Sequence, residues 1–113
     1  MAGFSDLTVT VTSGTSAAID IGTATLVGMY IPSVTSVGIK LSQLNPATGL
    51  YDVVATPFGT ADAVAGADLN MVIAASTVRY YPISPVVTAG IHKFKFVSSA
   101  SETFQLGFKV RNI

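Results

Sequence analysis

Residues Ala24–Asn45 read ATLVGMYIPSVTSVGIKLSQLN, and this stretch decides the fold. Two apolar runs, Leu26–Ile31 and Val37–Leu44, flank a short Pro-Ser break. The first run lacks alternation, as in a strand covered on both faces. Leu26, Gly28 and Tyr30 point one way along it, and Val27, Met29 and Ile31 the other. Gly28 within it marks a bulge or a close backbone approach. The second run alternates: Val37, Ile39 and Leu41 face a core while Lys40 and Ser42 face out. Asn45-Pro46-Ala47-Thr48-Gly49 then reverses the chain, since Pro presets φ and Gly accepts φ > 0. Leu50–Val54 returns as the partner strand of a hairpin.

The same reading extends outward. Leu7, Val9 and Val11 alternate with Thr8 and Thr10 in a half-buried first strand. Ser13-Gly14-Thr15 is a turn, and Ala17–Ile21 a second strand closed by Gly22. Residues 55–69 are the least regular part, rich in Ala and interrupted by Pro57, Gly59 and Gly66. Ala61–Ala67 fits a short helix or an irregular loop, and the composition favours the loop. Asn70–Ala75 and Val78–Ile83 are further strands, the latter placed at an edge by Pro82. Ser84-Pro85 opens a connection that ends at Gly90. Ile91–Val97 puts His92, Phe94 and Phe96 on one face and Lys93 and Lys95 on the other. Thr103–Arg111 does the same with Phe104, Leu106, Phe108 and Val110 against Gln105, Gly107, Lys109 and Arg111. With Ser98–Glu102 as the turn, these two strands are expected to pair. Eight or nine short strands, with turns roughly every 8–12 residues, predict an all-β antiparallel sandwich of jelly-roll type in one domain over 1–113.

Composition narrows the function. Only 11% of the 113 residues are charged, and the net charge is zero; about 25% is usual. Either a Ser/Thr-rich surface keeps the chain soluble, or an assembly covers much of that surface. Five acids (Asp6, Asp20, Asp52, Asp62, Asp68) and one base (Lys40) precede Arg79, giving −4. Five bases (Arg79, Lys93, Lys95, Lys109, Arg111) and one acid (Glu102) follow, giving +4. The halves dock complementary copies if they lie on different surfaces, and cancel if their strands interleave. Cys is absent, which excludes disulfides and thiolate metal sites. The N-terminal residues do not read as a signal peptide, and no apolar run approaches the ~20 residues of a membrane span.

No catalytic constellation is legible. His92 is the only His, and it reads as a partly buried structural residue beside Phe94 and Phe96. There is no GxSxG elbow, P-loop or GxGxxG. The acids are isolated, and DAVAGAD (62–68) does not fit an EF-hand loop. No metal or cofactor is expected. Lys93, Lys95, Lys109 and Arg111 form a basic row that reads as a phosphate patch, a solvated face or an edge guard. Zero net charge argues against nucleic acid. Tyr51, Phe58, Tyr80 and Tyr81 are candidate exposed aromatics: Tyr is common at interface hot spots and stacks on sugars, and the rings of Tyr80 and Tyr81 also serve to close the ends of a sandwich.

The order of landmarks resembles a family of small structural proteins in tailed-bacteriophage virions. The matching pieces are Leu7–Val11, Ala18-Ile19-Asp20-Ile21-Gly22 and Leu26-Val27-Gly28-Met29-Tyr30-Ile31-Pro32-Ser33. Val37–Leu44, Tyr51-Asp52-Val53, Tyr80-Tyr81-Pro82-Ile83 and the two closing strands follow. The Trp often found soon after the Pro-Ser is missing, and the turn at 45–49 is longer than the family's common Asp-Gly. The resemblance implies a capsid cement or decoration protein on the outside of a phage head, assembled in the host cytoplasm. Its expected partners are the major capsid protein and itself, as homodimer or homotrimer, with no nucleic acid and no membrane. Phe58, Arg79, Tyr80, Tyr81, Lys93, Lys95, Lys109 and Arg111 are the expected contacts. The alternative is a head-fibre or tail module that recognises a host glycan.

Overall fold

A computed structural model of the chain describes residues 3–55 and 68–112. The strands are β1 (Gly3–Thr12), β2 (Thr15–Ser16), β3 (Ile19–Asp20), β4 (Thr25–Ile31), β5 (Gly38–Leu44), β6 (Tyr51–Val53), β7 (Asn70–Val72) and β8 (Arg79–Pro82). One helical turn, α1 (Pro85–Thr88), precedes β9 (Lys93–Ser98) and β10 (Phe104–Asn112). The fold is all-β and antiparallel, as the alternation predicts. Residues 56–67, including Phe58 and the Ala61–Ala67 loop reading, lie outside the described residues.

The ten strands form one curled sheet that folds on itself into two layers. One layer runs β1-β10-β4-β8; the other runs from β2 and β3 through β9 and β5 to β6 and β7. β2 and β3 both pair β9, and β6 and β7 both pair β5, so each couple acts as one interrupted strand. Counted that way, the layers are 1-8-3-6 and 2-7-4-5. This nested pairing of first with last is the jelly-roll order.

Local chemistry explains the elements. Ser13 and Gly14 both have positive φ (49° and 87°), the two-residue loop that matches strand twist between β1 and β2. Asn45 caps its own reversal by accepting the Ala47 N–H at 2.9 Å, and β5 pairs with β6 beyond it. In β4 the register slips: Lys109 faces Gly28, but Val110 faces Leu26. The extra residue is a β-bulge. It switches the faces, so Leu26, Met29 and Ile31 all enter the core while Gly28 and Tyr30 turn outward.

The core lies between the layers. Phe94 and Phe96 of β9 meet Phe108 of β10 across it, at 6.5 and 5.7 Å between ring centroids. Ile39, Leu41, Leu106 and Val110 pack into the same core as Leu26, Met29 and Ile31. Each such Phe contributes roughly 1.5–3 kcal/mol by leaving water.

Several expectations change. β9 and β10 do not form a hairpin: β10 pairs β1 and β4, while β9 pairs β5, β2 and β3. The link 99–103 crosses between layers, which sets Phe94 and Phe96 of β9 against Phe108 of β10. His92 is exposed, outside β9, and its ring nitrogen lies 3.3 Å from the Gly90 carbonyl. Val37 is 57% exposed because β5 starts one residue later. Ser42 faces out yet is buried, shielded by its cross-strand neighbours Lys95 and Val53.

Candidate docking surface

Among the described residues, the exposed aromatic side chains Phe4, Tyr30 and Tyr80 all lie on the outer face of β1-β10-β4-β8. One cross-strand row is Thr8, Gly107, Tyr30 and Tyr80. The next is Asp6, Lys109, Gly28 and Pro82. The two glycines make room for the two rings. A Cβ on Gly107 would lie 3.1 Å from the Tyr30 Cβ, and one on Gly28 would collide with the Tyr80 hydroxyl and ring. Tyr30 and Tyr80 therefore lean together, with centroids 4.8 Å apart and planes tilted 49°. Cross-strand aromatic pairs of this kind contribute roughly 0.5–1.5 kcal/mol beyond burial. They still leave 39% and 41% of the two residues exposed.

Asp6 holds the platform from the side. Its Oδ1 accepts the Tyr30 hydroxyl at 3.0 Å and the Lys109 ammonium at 3.0 Å. The Lys109 contact, helped by Tyr30, lowers the Asp6 carboxyl below its ordinary pKa. The same bond raises Lys109. Lys109 also lies 5.8 Å from the Phe4 ring centroid, and Phe4 is 64% exposed. Beside the rings an open groove of about 480 Å³ runs between Thr8, Gln105, Pro32 and Val78. Arg79, exposed and opposite Ile31, stands on its rim.

The expected contact residues do not form one patch. Tyr80 and Arg79 join the platform. Tyr81 points inward, and its hydroxyl accepts the Ala74 N–H at 2.7 Å. Lys109 and Arg111 are on the outer face of β10, whereas Lys93 and Lys95 are on the outer face of β9, in the other layer. The basic row therefore divides between two faces, because its strands are not neighbours. Lys95 sits 4.5 Å over the Tyr51 ring, and Lys93 faces Asp20 in the register. Phe58 lies outside the described residues. Sequence reasoning missed Phe4, Asp6 and Tyr30. The usable signal was the pair of outward glycines, Gly28 and Gly107, each leaving space that a neighbouring ring fills.

A second polar cluster is structural. Glu102, in the link between layers, accepts N–H bonds from Thr35 (2.9 Å) and Ser36 (2.8 Å), and the Ser36 hydroxyl at 2.9 Å. Ser36 is fully buried and also hydrogen-bonded to Ser98. The backbone N–H of Thr35, above all, keeps the Glu102 carboxyl below its ordinary pKa.

Among the described residues no three His, Asp or Glu side chains gather closely enough to hold a metal ion. No described helix is long and apolar enough to cross a membrane. Comparison with protein-family models, with curated proteins and with solved structures finds no significant match to this chain.

Proposed function

We propose that this chain is a non-enzymatic structural protein of a tailed-phage virion, a cement or decoration protein that docks on the head exterior and bridges neighbouring copies of the major shell protein. The observation that supports this most is the aromatic outer face of β1-β10-β4-β8, with Phe4, Tyr30 and Tyr80 exposed around a neutralised Asp6–Lys109 pair. Such a face suits burial against another protein better than contact with water. The mechanism is mechanical. A chain that touches two shell subunits binds the assembled state and not the free subunits, and so stabilises it by mass action. It uses no cofactor, nucleic acid or membrane, and it acts as a homo-oligomer. The test is the copy number of the chain relative to the major shell protein in purified particles, by quantitative mass spectrometry. A ratio near one, or a simple fraction set by the icosahedral axes, is expected. Absence from particles overturns the proposal. Tyr30→Ala with Tyr80→Ala should weaken particle binding at least about tenfold, a loss of about 1.4 kcal/mol or more.

A second reading rests on the groove beside the two rings. Two tilted tyrosines with Thr8, Gln105 and Arg79 around them suit a sugar ring stacked on an aromatic and hydrogen-bonded at its edge. Glycan binding that is lost with Tyr80→Ala, in a chain present at only a handful of copies per particle, favours this reading.

A further inference from the structure

β1 is ten residues long, and only its last two residues meet a strand on the side away from β10. Val11 and Thr12 pair with Ser16 and Thr15; from Gly3 to Thr10 no described strand lies on that side. The backbone groups left there can be named. A two-residue loop makes Thr12 and Thr15 a pair that exchanges both hydrogen bonds, so Thr12 bonds toward β2. The β1–β10 register is unbroken from Gly3 to Val11. Alternation therefore turns the N–H and C=O of Thr10, Thr8, Asp6 and Phe4 to the open side.

Every other end of the two layers is blunted. β8 has four residues and carries Pro82; β6 and β7 have three each, and β3 two. Of the usual guards on an edge, β1 has no Pro, no Lys and no bulge; its one charge, Asp6, is paired with Lys109. It instead exposes Phe4 at 64% and Leu7 at 42%.

We propose that the open edge of β1 pairs antiparallel with the same edge of a second copy, continuing the β1-β10-β4-β8 layer across a two-fold axis. The chain's own charges choose the register. Pairing Asp6 with Asp6 of the partner would set two carboxylates against each other. A shift that centres the axis on Leu7 removes that clash. Thr8 then faces the partner's Asp6, Phe4 faces the partner's Thr10, and the two exposed Leu7 side chains cover each other. The four open residues of each strand are all satisfied in that register. An unrelated strand would find no such self-complementarity to exploit. This pairing specifies the self-association invoked above but does not depend on the virion reading.

The full chain at micromolar concentration should sediment at twice its 11.6 kDa mass. Thr8→Pro removes one open N–H without touching a bond to β10, and edge strands tolerate Pro there; its mass should fall to one chain with the circular dichroism spectrum retained. The chain has no Cys, so Leu7→Cys introduces a single thiol. Opposed residues that do not exchange hydrogen bonds lie at about 4.5 Å between Cα atoms, within disulfide reach. Leu7→Cys should therefore form an inter-chain disulfide on mild oxidation, and Ser5→Cys should not. A monomeric wild-type chain, a dimer indifferent to Thr8→Pro, or cross-linking through Ser5→Cys alone each overturns the proposal. Copy number in particles tests the docking proposal separately, so the two fail independently.

Discussion

Glu102 shows how one carboxylate fixes a loop that no strand supports. Its oxygens take two backbone N–H groups and a buried hydroxyl, and so hold residues 34–37 at the point where the chain enters β5. Because its folded pKa is lowered, the stabilisation is present above the ordinary value of 4.5 and is lost as pH falls through the folded value. Asp6 acts in the same direction. Urea midpoints at neutral pH and at about pH 3 should differ for the wild type, and Glu102→Gln should narrow that difference while lowering the neutral midpoint. Gly28 is the second informative residue. Gly28→Ala sets a methyl where the Tyr80 ring lies, and Tyr80 can yield because its strand is an edge. The expected cost is modest, up to about 1.5 kcal/mol, the worth of the aromatic pair. The near-UV circular dichroism of the tyrosines should fall, and, on the docking proposal, particle binding with it.

At the level of elements, the strands were legible in the sequence, and so was the β5–β6 hairpin across the 45–49 reversal, but the partners distant in sequence were not. Alternation located β1, β5, β9 and β10, because each must bury one face and wet the other. It also put Phe94, Phe96, Phe108 and Leu106 in the core. The expected β9–β10 hairpin failed because closeness in sequence says nothing about whether a short link turns within a layer or crosses to the other. Dividing those strands divided the basic row as well. The face of Tyr30 relative to Leu26 was hidden by the bulge, which shifts alternation by one residue without changing the composition. Phe96→Ala should cost about 3–5 kcal/mol, since it opens a cavity at the contact between layers. Ser13→Asn should stabilise by up to about 1 kcal/mol, because Asn accepts the left-handed conformation that Ser13 adopts at φ 49°. Thermal or urea unfolding measures both.

For the whole molecule, the nested order governs charge and folding. Strands of the acidic first part and the basic second part interleave, so that Asp6 meets Lys109 and Asp20 faces Lys93. Lys40 and Asp68, both in the first part, pair at 3.0 Å. These exposed pairs stabilise little, but they weaken the long-range field that would steer charged partners. Pairing of first with last strands requires distant segments to meet before either is secure, so refolding should fall in the millisecond-to-second range typical of non-local β folds. Stopped-flow refolding measures it; microsecond folding would contradict the nested order.

Gly3 and Asn112 are cross-strand neighbours. A short linker from Asn112 back to Gly3 would close the β1–β10 ribbon into a ring. Reopening that ring within the exposed reversal at 46–49 would give a circular permutant with every strand pair intact. Segments running on before Gly3 and after Asn112 would leave the protein side by side, from the same corner of the β1-β10 ribbon.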